Sequence, residues 1–311
     1  DHLARPLIDV SEIKNRQNAV TFFVDQPSLR EAMRAHLAQC GDLARAASRL
    51  SLGRGGPRDL VVLRDTLGIG EAICAKFAKH PDLLLPTHLE TGLKNLSLSD
   101  KEQLAGFRRD LGKALTPDVP MQARDGGFIA KGWQPAIDEL KTLRDDSRKI
   151  VAGLQADYAK QSGVPTLKIK HNNVLGYFIE VSPKHADTML NKGPDSPFIH
   201  RQTLVSGIRF TTTELADLDA KISGAADKVC ALEIEEFEKF AAKARALAED
   251  LRRSAQALAL LDVQCGWAEW AAETGASCPA IDDSLCFDIK AGRHPVVRDA
   301  LQKSGAADFT P

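Results

Sequence analysis

The chain contains 311 residues, of which 43% are hydrophobic and 27% are charged, and its formal net charge at pH 7 is −1. This composition excludes an intrinsically disordered chain and is typical of a soluble globular protein with a sizeable core in two or three domains. No apolar stretch approaches the roughly 18 residues of a membrane span, and the N-terminal residues lack the pattern of a signal peptide. We therefore expect a cytoplasmic protein with no membrane partner.

Residues 1 to 120 are predicted to form medium-length helices separated by helix-breaking residues. The segment LREAMRAHLAQC places Leu29, Met33 and Leu37 at helical spacing, and DLARAASRLSL repeats the pattern. The glycines of GRGGPRDL are interpreted as a turn between two helices. A phosphate loop would need a preceding strand and a following Gly-Lys-Ser/Thr, and neither is present.

Two longer amphipathic segments follow, from Gln134 to Gln161 and from Glu214 to Glu273. The first would form a helix about 42 Å long, and the second, if straight, would reach about 90 Å. The hydrophobic spacing of the second segment slips between Leu232 and Phe237, and Gly224 weakens the helix. A bend or a change of packing partner is therefore expected in that stretch.

A basic segment with strand character, Thr166 to Arg209, separates these two helices. Its first part, TLKIKHNNVLGYFIEVS, contains β-branched and aromatic strand formers, and Asn172-Asn173 supplies a hairpin turn. From Ser162 to Thr213, six Lys and Arg residues outnumber three Asp and Glu residues, so this region is +3 and the remainder −4. A positive tip on a negative body predicts contact with a polyanion at one place.

From Cys278 onward the pattern changes again. The stretch LCFDIKAGRHPVV has strand character and ends in a glycine-led turn into the helical VVRDAL. We interpret it as the first strand and helix of a further domain.

No catalytic or metal-binding pattern is evident in the sequence. The six cysteines lack Cys-x-x-Cys spacing and are expected to be reduced and buried. Gly112-Lys113 is followed by Ala114, so no phosphate-loop pattern with Gly-Lys-Ser/Thr occurs. We therefore expect that this chain is not an enzyme and holds no cofactor or metal.

Six blocks of the chain, in order, resemble the MutS family of DNA mismatch-repair ATPases. They are LARPLIDVSEIKNRQNAV, GDLARAASRLSLGRGGPRDL, RDGGFIAKGW, LKIKHNNVLGYFIEVS, RQTLVSGIRFTTTEL and GRHPVV. The resemblance covers essentially the whole chain. It implies a mainly α-helical core with two long lever helices (residues 1–163 and 221–276), an inserted β-rich clamp (164–220) and the first elements of an α/β ATPase domain (277–311).

The resemblance also implies the partners of the chain. The clamp would grip the backbone of duplex DNA, and the full-length protein would use ATP and Mg²⁺, form a homodimer, meet a MutL-type repair partner and be associated with the nucleoid. The family's mismatch-reading domain, with its Phe-x-Glu wedge, would lie upstream of Asp1, and its phosphate loop downstream of Pro311. Phe178-Ile179-Glu180 fits Phe-x-Glu literally, but strand alternation predicts that Phe178 is a packing residue.

Four cations are the first candidates for DNA contact. Arg201 and Arg209 flank QTLVSGI, and a guanidinium can donate to two phosphate oxygens at once. Lys168 and Lys170 share one face of a strand by period two. For each of these side chains the alternative is a solvated surface charge.

The tip of the predicted clamp supplies smaller candidates. Thr203, Ser206 and Gly207 offer two hydroxyls and an exposed backbone amide, which commonly position phosphates. Val205 departs from the resembled family, in which many members carry Lys, so one phosphate contact is expected to be missing. Phe309 occupies the place of the family's adenine-stacking aromatic, a role that stays latent without the rest of that site.

A second function remains open from the sequence. The long helices and the basic segment also fit a coiled-coil interaction protein that binds an acidic protein partner. The salt dependence of binding to random-sequence duplex separates the two, because the release of counterions from DNA gives a steep slope.

Overall fold

The computed structural model describes residues 6–172, 174–185, 188–189, 196–205 and 207–305. Its larger part, called the body, packs six helices around one core. They are α1 (Val10–Asp25), α2 (Pro27–Leu37), α3 (Leu43–Ser51), α4 (Pro57–Phe77), α5 (Thr87–Leu96) and α6 (Glu102–Ala114). None of the helices in the described part of the chain has both the length and the apolar character to span a bilayer.

Side-chain caps set the starts of α1 and α3. The carboxylate of Asp9 accepts a hydrogen bond from the Glu12 amide, and Asp42 accepts one from the Arg45 amide, each at 2.9 Å. The predicted GRGGP turn is confirmed: α4 begins at Pro57, and the Gly56 amide donates to Asp59 at 2.8 Å.

Three long helices complete the helical part. They are α7 (Pro135–Ser162, 28 residues), α8 (Thr213–Ala246, 34 residues) and α9 (Ala248–Thr274, 27 residues). At 1.5 Å per residue, α7 and α8 are about 42 and 51 Å long. Gly163, in the left-handed conformation, ends α7, and the hydroxyl of Thr212 caps α8 by accepting from the Leu215 amide at 3.0 Å.

The interruption of the second long segment differs from the sequence expectation. The helix runs without a break through Gly224 and through Leu232 to Phe237, and it stops instead at Leu247. The expected change of packing partner falls between Leu218 and Val229, near Gly224 and before the slip in spacing. Leu215 and Leu218 belong to the cluster beneath the sheet, whereas the residues from Val229 onward belong to the body core.

Buried carboxylates on α8 anchor the segment RDGGFIAKGW to the helix. Glu233 is fully buried, pairs with Lys141 of α7 at 2.8 Å and accepts the amide of Gly127. One turn further, Glu236 accepts the indole N–H of Trp133 at 2.9 Å. These contacts of Glu233 and Glu236, which we call the joint, connect the two long helices where they enter the body. The joint explains why an acidic pair can be buried, because each carboxylate has a cation or an N–H donor.

A four-stranded antiparallel sheet, called the clamp sheet, is inserted between α7 and α8. Its strands are β1 (Lys168–Asn172), β2 (Gly176–Val181), β3 (Ile199–Leu204) and β4 (Gly207–Thr211), in the order β1-β2-β4-β3. Asn172 was predicted to form a turn, and its side chain accepts the amides of Val174 and Leu175. Asn173 lies outside the described residues.

One face of the clamp sheet packs on the ends of the two long helices. Its small core joins Ile179, Val181, Ile208 and Phe210 to side chains of α7 and α8, including Leu154, Tyr158 and Leu215. Hydrogen bonds fix the sheet to both helices. Gln155 accepts the Ile169 amide at 2.9 Å, and Asp219 accepts the Tyr177 amide at 3.0 Å. This core is separate from that of the body.

The C-terminal part differs from its prediction in one element. The helix α10 (Pro295–Ser304) is present, but the segment LCFDIK, expected to be a strand, has no regular secondary structure. Leu285 and Phe287 are almost fully exposed there. A strand forms only beside a neighbouring strand, and the described residues bring none to this segment.

Candidate nucleic-acid interface

The face of the clamp sheet that points away from the helices is cationic, and we call it the outer face. Strand alternation and register place Lys168 and Lys170 of β1, Phe178 and Glu180 of β2 and Arg209 of β4 on it. Lys168 lies opposite Glu180, and Glu180 lies opposite Arg209. Three of the four predicted cations are thus brought together with one carboxylate.

Arg209 is held firmly within this face. Its Nη1 donates to Oε1 of Gln202 at 3.0 Å, and its Nε lies 3.5 Å from Oε2 of Glu180. The guanidinium carbon lies 4.5 Å from the centre of the Phe178 ring, which is 3% exposed. The packing role expected for Phe178 is therefore confirmed. Arg209 packs over the Phe178 ring and pairs with Glu180. Its guanidinium is therefore only partly available to a ligand.

Glu180 sets the electrostatics of the outer face. The ammonium group of Lys170 donates to Oε1 of Glu180 at 2.5 Å. This hydrogen bond is the main reason why the pKa of Glu180 lies below its ordinary value, and Arg209 lowers the pKa further. Burial acts in the opposite direction but is outweighed. Glu180 is therefore ionised at neutral pH and neutralises part of the positive charge beside it.

Arg201 lies outside this network because the register of β3 shifts. His200 pairs with Phe210 and Gln202 pairs with Arg209, so Arg201 is the extra residue of a β-bulge. A bulge redirects the side chain that it contains. Arg201 is exposed, and the described residues offer it no hydrogen bond or ion pair. The same holds for Lys168, so these two are the cations of the sheet that remain available to an external anion.

The remaining predicted contact residues differ in where the structure places them. Thr203 is exposed on β3, and its hydroxyl lies 2.9 Å from Nε2 of His200. Gly207 is buried, and a Cβ atom there would lie 2.9 Å from the Val181 carbonyl oxygen, so the prediction of an exposed backbone amide is wrong. The close approach of β2 and β4 explains the glycine. Ser206 and Phe309 lie outside the described residues.

The two hairpin turns lie at opposite ends of the sheet. The β1–β2 turn lies beside Asp219 of α8, whose carboxylate accepts the Tyr177 amide. Since neighbouring strands are antiparallel, the β3–β4 turn lies at the other end of the sheet. Val205 occupies that turn with its side chain fully exposed. Lys168 and Glu180 lie at the same end of the sheet as the β3–β4 turn, near the start of β1 and the end of β2.

Sequence reasoning missed two residues of this interface, Gln202 and Glu180. Both lie opposite Arg209 on neighbouring strands and contact its guanidinium directly. Their signal was the register itself: pairing TLKIKH with GYFIEV around Asn172 places Glu180 opposite Lys168. The bulge at Arg201 had no sequence signal that we can identify.

The fold and this face define a helical protein in which a small cationic β module is carried at the end of two long helices. A family model described as MutS domain III matches residues 1–268. The chain is also similar to the DNA mismatch repair protein MutS of Caulobacter vibrioides (48% identical), Rhodopseudomonas palustris strain BisA53 (44%) and Nitrobacter hamburgensis (42%), in each case over 99% of this chain and 34% of the relative. The chain belongs to the MutS domain III family, and it spans about a third of the length of the curated relatives it matches.

Proposed function

We propose that this chain grips duplex DNA through the phosphate backbone, without reading sequence, as the core, lever and clamp part of a DNA mismatch repair protein. The names of its relatives support the role in mismatch repair. The chemistry of the clamp sheet supports the finer statement, because cations that meet phosphates position a protein on DNA but carry no sequence information.

One observation carries this proposal more than any other. Lys168 and Arg201 are exposed cations without protein partners among the described residues, and they lie on a sheet that the body does not cover. Lys170 and Arg209 extend the positive surface around them. A side chain that is paired within the protein gains little from a phosphate. An unpaired lysine or arginine gains a charge-assisted hydrogen bond and releases a counterion from the DNA.

We assign the remaining properties to the longer protein. ATP and Mg²⁺ would be bound, and ATP hydrolysed, outside this chain, and the homodimer, the MutL-type partner and the cytoplasmic, nucleoid-associated location follow from the same family role. We keep the domain boundaries expected from the sequence: 1–163 and 221–276 for the core and lever, 164–220 for the clamp, and 277–311 for the start of an ATPase domain.

The proposal is tested by fluorescence anisotropy of a labelled random-sequence duplex over a series of salt concentrations. The double change Lys168→Ala and Arg201→Ala is expected to make the slope of log affinity against log salt shallower by about 1.8, since each lost contact contributes about 0.9. The matched control is Arg54→Ala with Lys79→Ala, which removes the same charge from exposed sites on the body.

The outcome discriminates between the two candidate functions. If both double variants change the slope equally, the clamp sheet is not the contact surface and only net charge matters. If the chain binds polyglutamate more tightly than duplex DNA at the same charge density, the alternative of an acidic protein partner is the correct one.

A further inference from the structure

A row of polar side chains crosses the full width of the clamp sheet on its outer face. The strand register sets them side by side in the order Lys168, Glu180, Arg209 and Gln202. Lys168 and Gln202 lie at the two ends of the row, on the edge strands β1 and β3. Neighbouring strands are about 4.8 Å apart, so the backbones of these two residues are separated by about 14 Å. Each end of the row can therefore meet a different phosphate group.

The neighbour of Gln202 fixes the orientation of its carboxamide. A guanidinium has only donors, so the atom that meets Nη1 of Arg209 at 3.0 Å must be the carboxamide oxygen, Oε1. The amide nitrogen, Nε2, is then the end that remains for another partner. Gln202 is exposed, and none of the described residues accepts a hydrogen bond from this amide.

Arg209 can hold Gln202 in this orientation because Arg209 is itself held in place. Its guanidinium carbon lies 4.5 Å from the centre of the Phe178 ring, and its Nε lies 3.5 Å from Oε2 of Glu180. A fixed partner removes part of the rotamer freedom that an exposed glutamine would otherwise lose on binding. Glutamine side chains are among the regular donors to DNA phosphates. The amide of Gln202 is therefore oriented to donate before a ligand arrives.

We propose that Gln202 is a phosphate-positioning residue of the clamp sheet. Arg209 orients its carboxamide, and its amide group donates a hydrogen bond to a phosphate oxygen of duplex DNA. This inference rests on the proposed DNA contact and adds to it a contact without charge. Because a neutral donor does not replace a counterion, loss of this contact leaves the salt dependence of binding as it was.

The test is fluorescence anisotropy of the 311-residue chain on a random-sequence duplex over a series of salt concentrations. Gln202→Leu is expected to weaken binding about tenfold, since it removes a hydrogen bond to a charged oxygen. The slope of log affinity against log salt should stay unchanged. The matched control is Gln103→Leu, which removes an exposed amide from the body and should not change the affinity.

A second variant excludes damage to the sheet as the cause. Gln202→Glu keeps an oxygen that accepts from Arg209 but has no N–H to donate. Its melting temperature should therefore not fall, whereas its affinity for DNA should fall at least as far as that of Gln202→Leu, because a carboxylate also repels phosphate.

Two backgrounds test whether Arg209 orients the carboxamide. In the Lys168→Ala variant the loss caused by Gln202→Leu should remain about tenfold, because the effects of distant contacts add. In the Arg209→Met variant the same change should cost about twofold or less, because the carboxamide has already lost the group that orients it.

The outcomes separate this inference from the proposed function. If Gln202→Leu left the affinity unchanged while Lys168→Ala with Arg201→Ala still made the salt slope shallower, the role of Gln202 would fail and the DNA contact would stand. A shallower slope in Gln202→Leu would also overturn the inference, since Gln202 would then act only through charged neighbours. An undiminished loss in the Arg209→Met background would overturn the orienting role of Arg209. If neither Gln202→Leu nor the double cation change affected binding, the DNA contact itself would fail.

Discussion

Two arginines of the same sheet have different roles because of their register. Arg209 is paired in β4, covers Phe178 and bonds to Gln202 and Glu180. Arg201 lies in the bulge of β3, exposed and without a partner among the described residues. From the sequence, both arginines were expected to contact phosphate, since net charge and spacing cannot distinguish a paired guanidinium from a free one.

This difference predicts opposite effects of two alanine substitutions. Arg201→Ala is expected to weaken DNA binding, with a salt slope shallower by about 0.9, and to leave the melting temperature unchanged. Arg209→Ala is expected to lower stability by about 1 to 2 kcal/mol, because it uncovers Phe178 and leaves Glu180 with one cation fewer. Thermal unfolding and anisotropy on both variants check this. Equal effects of the two changes on either measurement would contradict the distinct roles.

Glu180 makes the stability of the clamp sheet depend on pH, and the direction of its pKa shift determines how. Its native pKa lies below the ordinary value of 4.5, chiefly through Lys170, so its contribution to stability is complete above about pH 4.5 and is lost as the pH falls further. Glu180→Gln is expected to narrow the difference in stability between pH 7 and pH 3, measured as melting temperature.

The change Glu180→Gln should also tighten DNA binding a few-fold at pH 7, because it frees two cations. Weaker binding by the variant would show that Glu180 mainly positions Arg209.

At the scale of elements, the joint between α8 and the segment RDGGFIAKGW is predicted to be important for stability. Glu233 is fully buried against Lys141 and the Gly127 amide. Glu233→Ala is expected to cost about 3 kcal/mol, since it removes one side of a buried ion pair and leaves the Gly127 amide without its acceptor. The control is Glu235→Ala, an exposed neighbour paired with Lys239, which should cost less than about 1 kcal/mol. Chemical denaturation measures both, and similar costs would refute the role of the joint.

The clamp sheet has its own core, which predicts that the body survives without it. Replacement of residues 166–212 by a short Gly/Ser linker is expected to leave the body folded, while the ends of α7 and α8 fray where Leu154, Tyr158 and Leu215 lose their cover. Circular dichroism at 222 nm follows the helices. If most of the helical signal disappeared, the sheet and the body would form one cooperative unit.

The elements were predictable to different degrees for physical reasons. The amphipathic period identified α7 and α8 because each buries apolar side chains at helical spacing, such as Leu154 and Tyr158 of α7 and Phe237, Phe240 and Ala244 of α8. The end of α8 at Leu247 was missed, because the spacing slip around Leu232 does not break the helix, which continues to Ala246. The strand expected around LCFDIK is absent because β structure depends on a neighbour that periodicity alone cannot supply.

For the whole molecule, contacts limited to the DNA backbone predict that binding is insensitive to base pairing. The chain is expected to bind perfectly paired and single-mismatch duplexes with equal affinity, since Lys168 and Arg201 would meet phosphates only. Competition between the two duplexes at one salt concentration tests this. A preference of more than about threefold for either would require a base-reading contact that the described cations do not supply.

The unbroken course of α8 also has a mechanical consequence. The helix is anchored in the body at Glu233 and carries the sheet at Thr213, about 20 residues and hence about 30 Å away. A tilt of about 10° at the anchor would sweep the sheet through about 5 Å, which exceeds the length of a hydrogen bond of about 3 Å. All phosphate contacts would then form or break together, so packing changes deep in the body could open or close the grip without any body residue touching DNA.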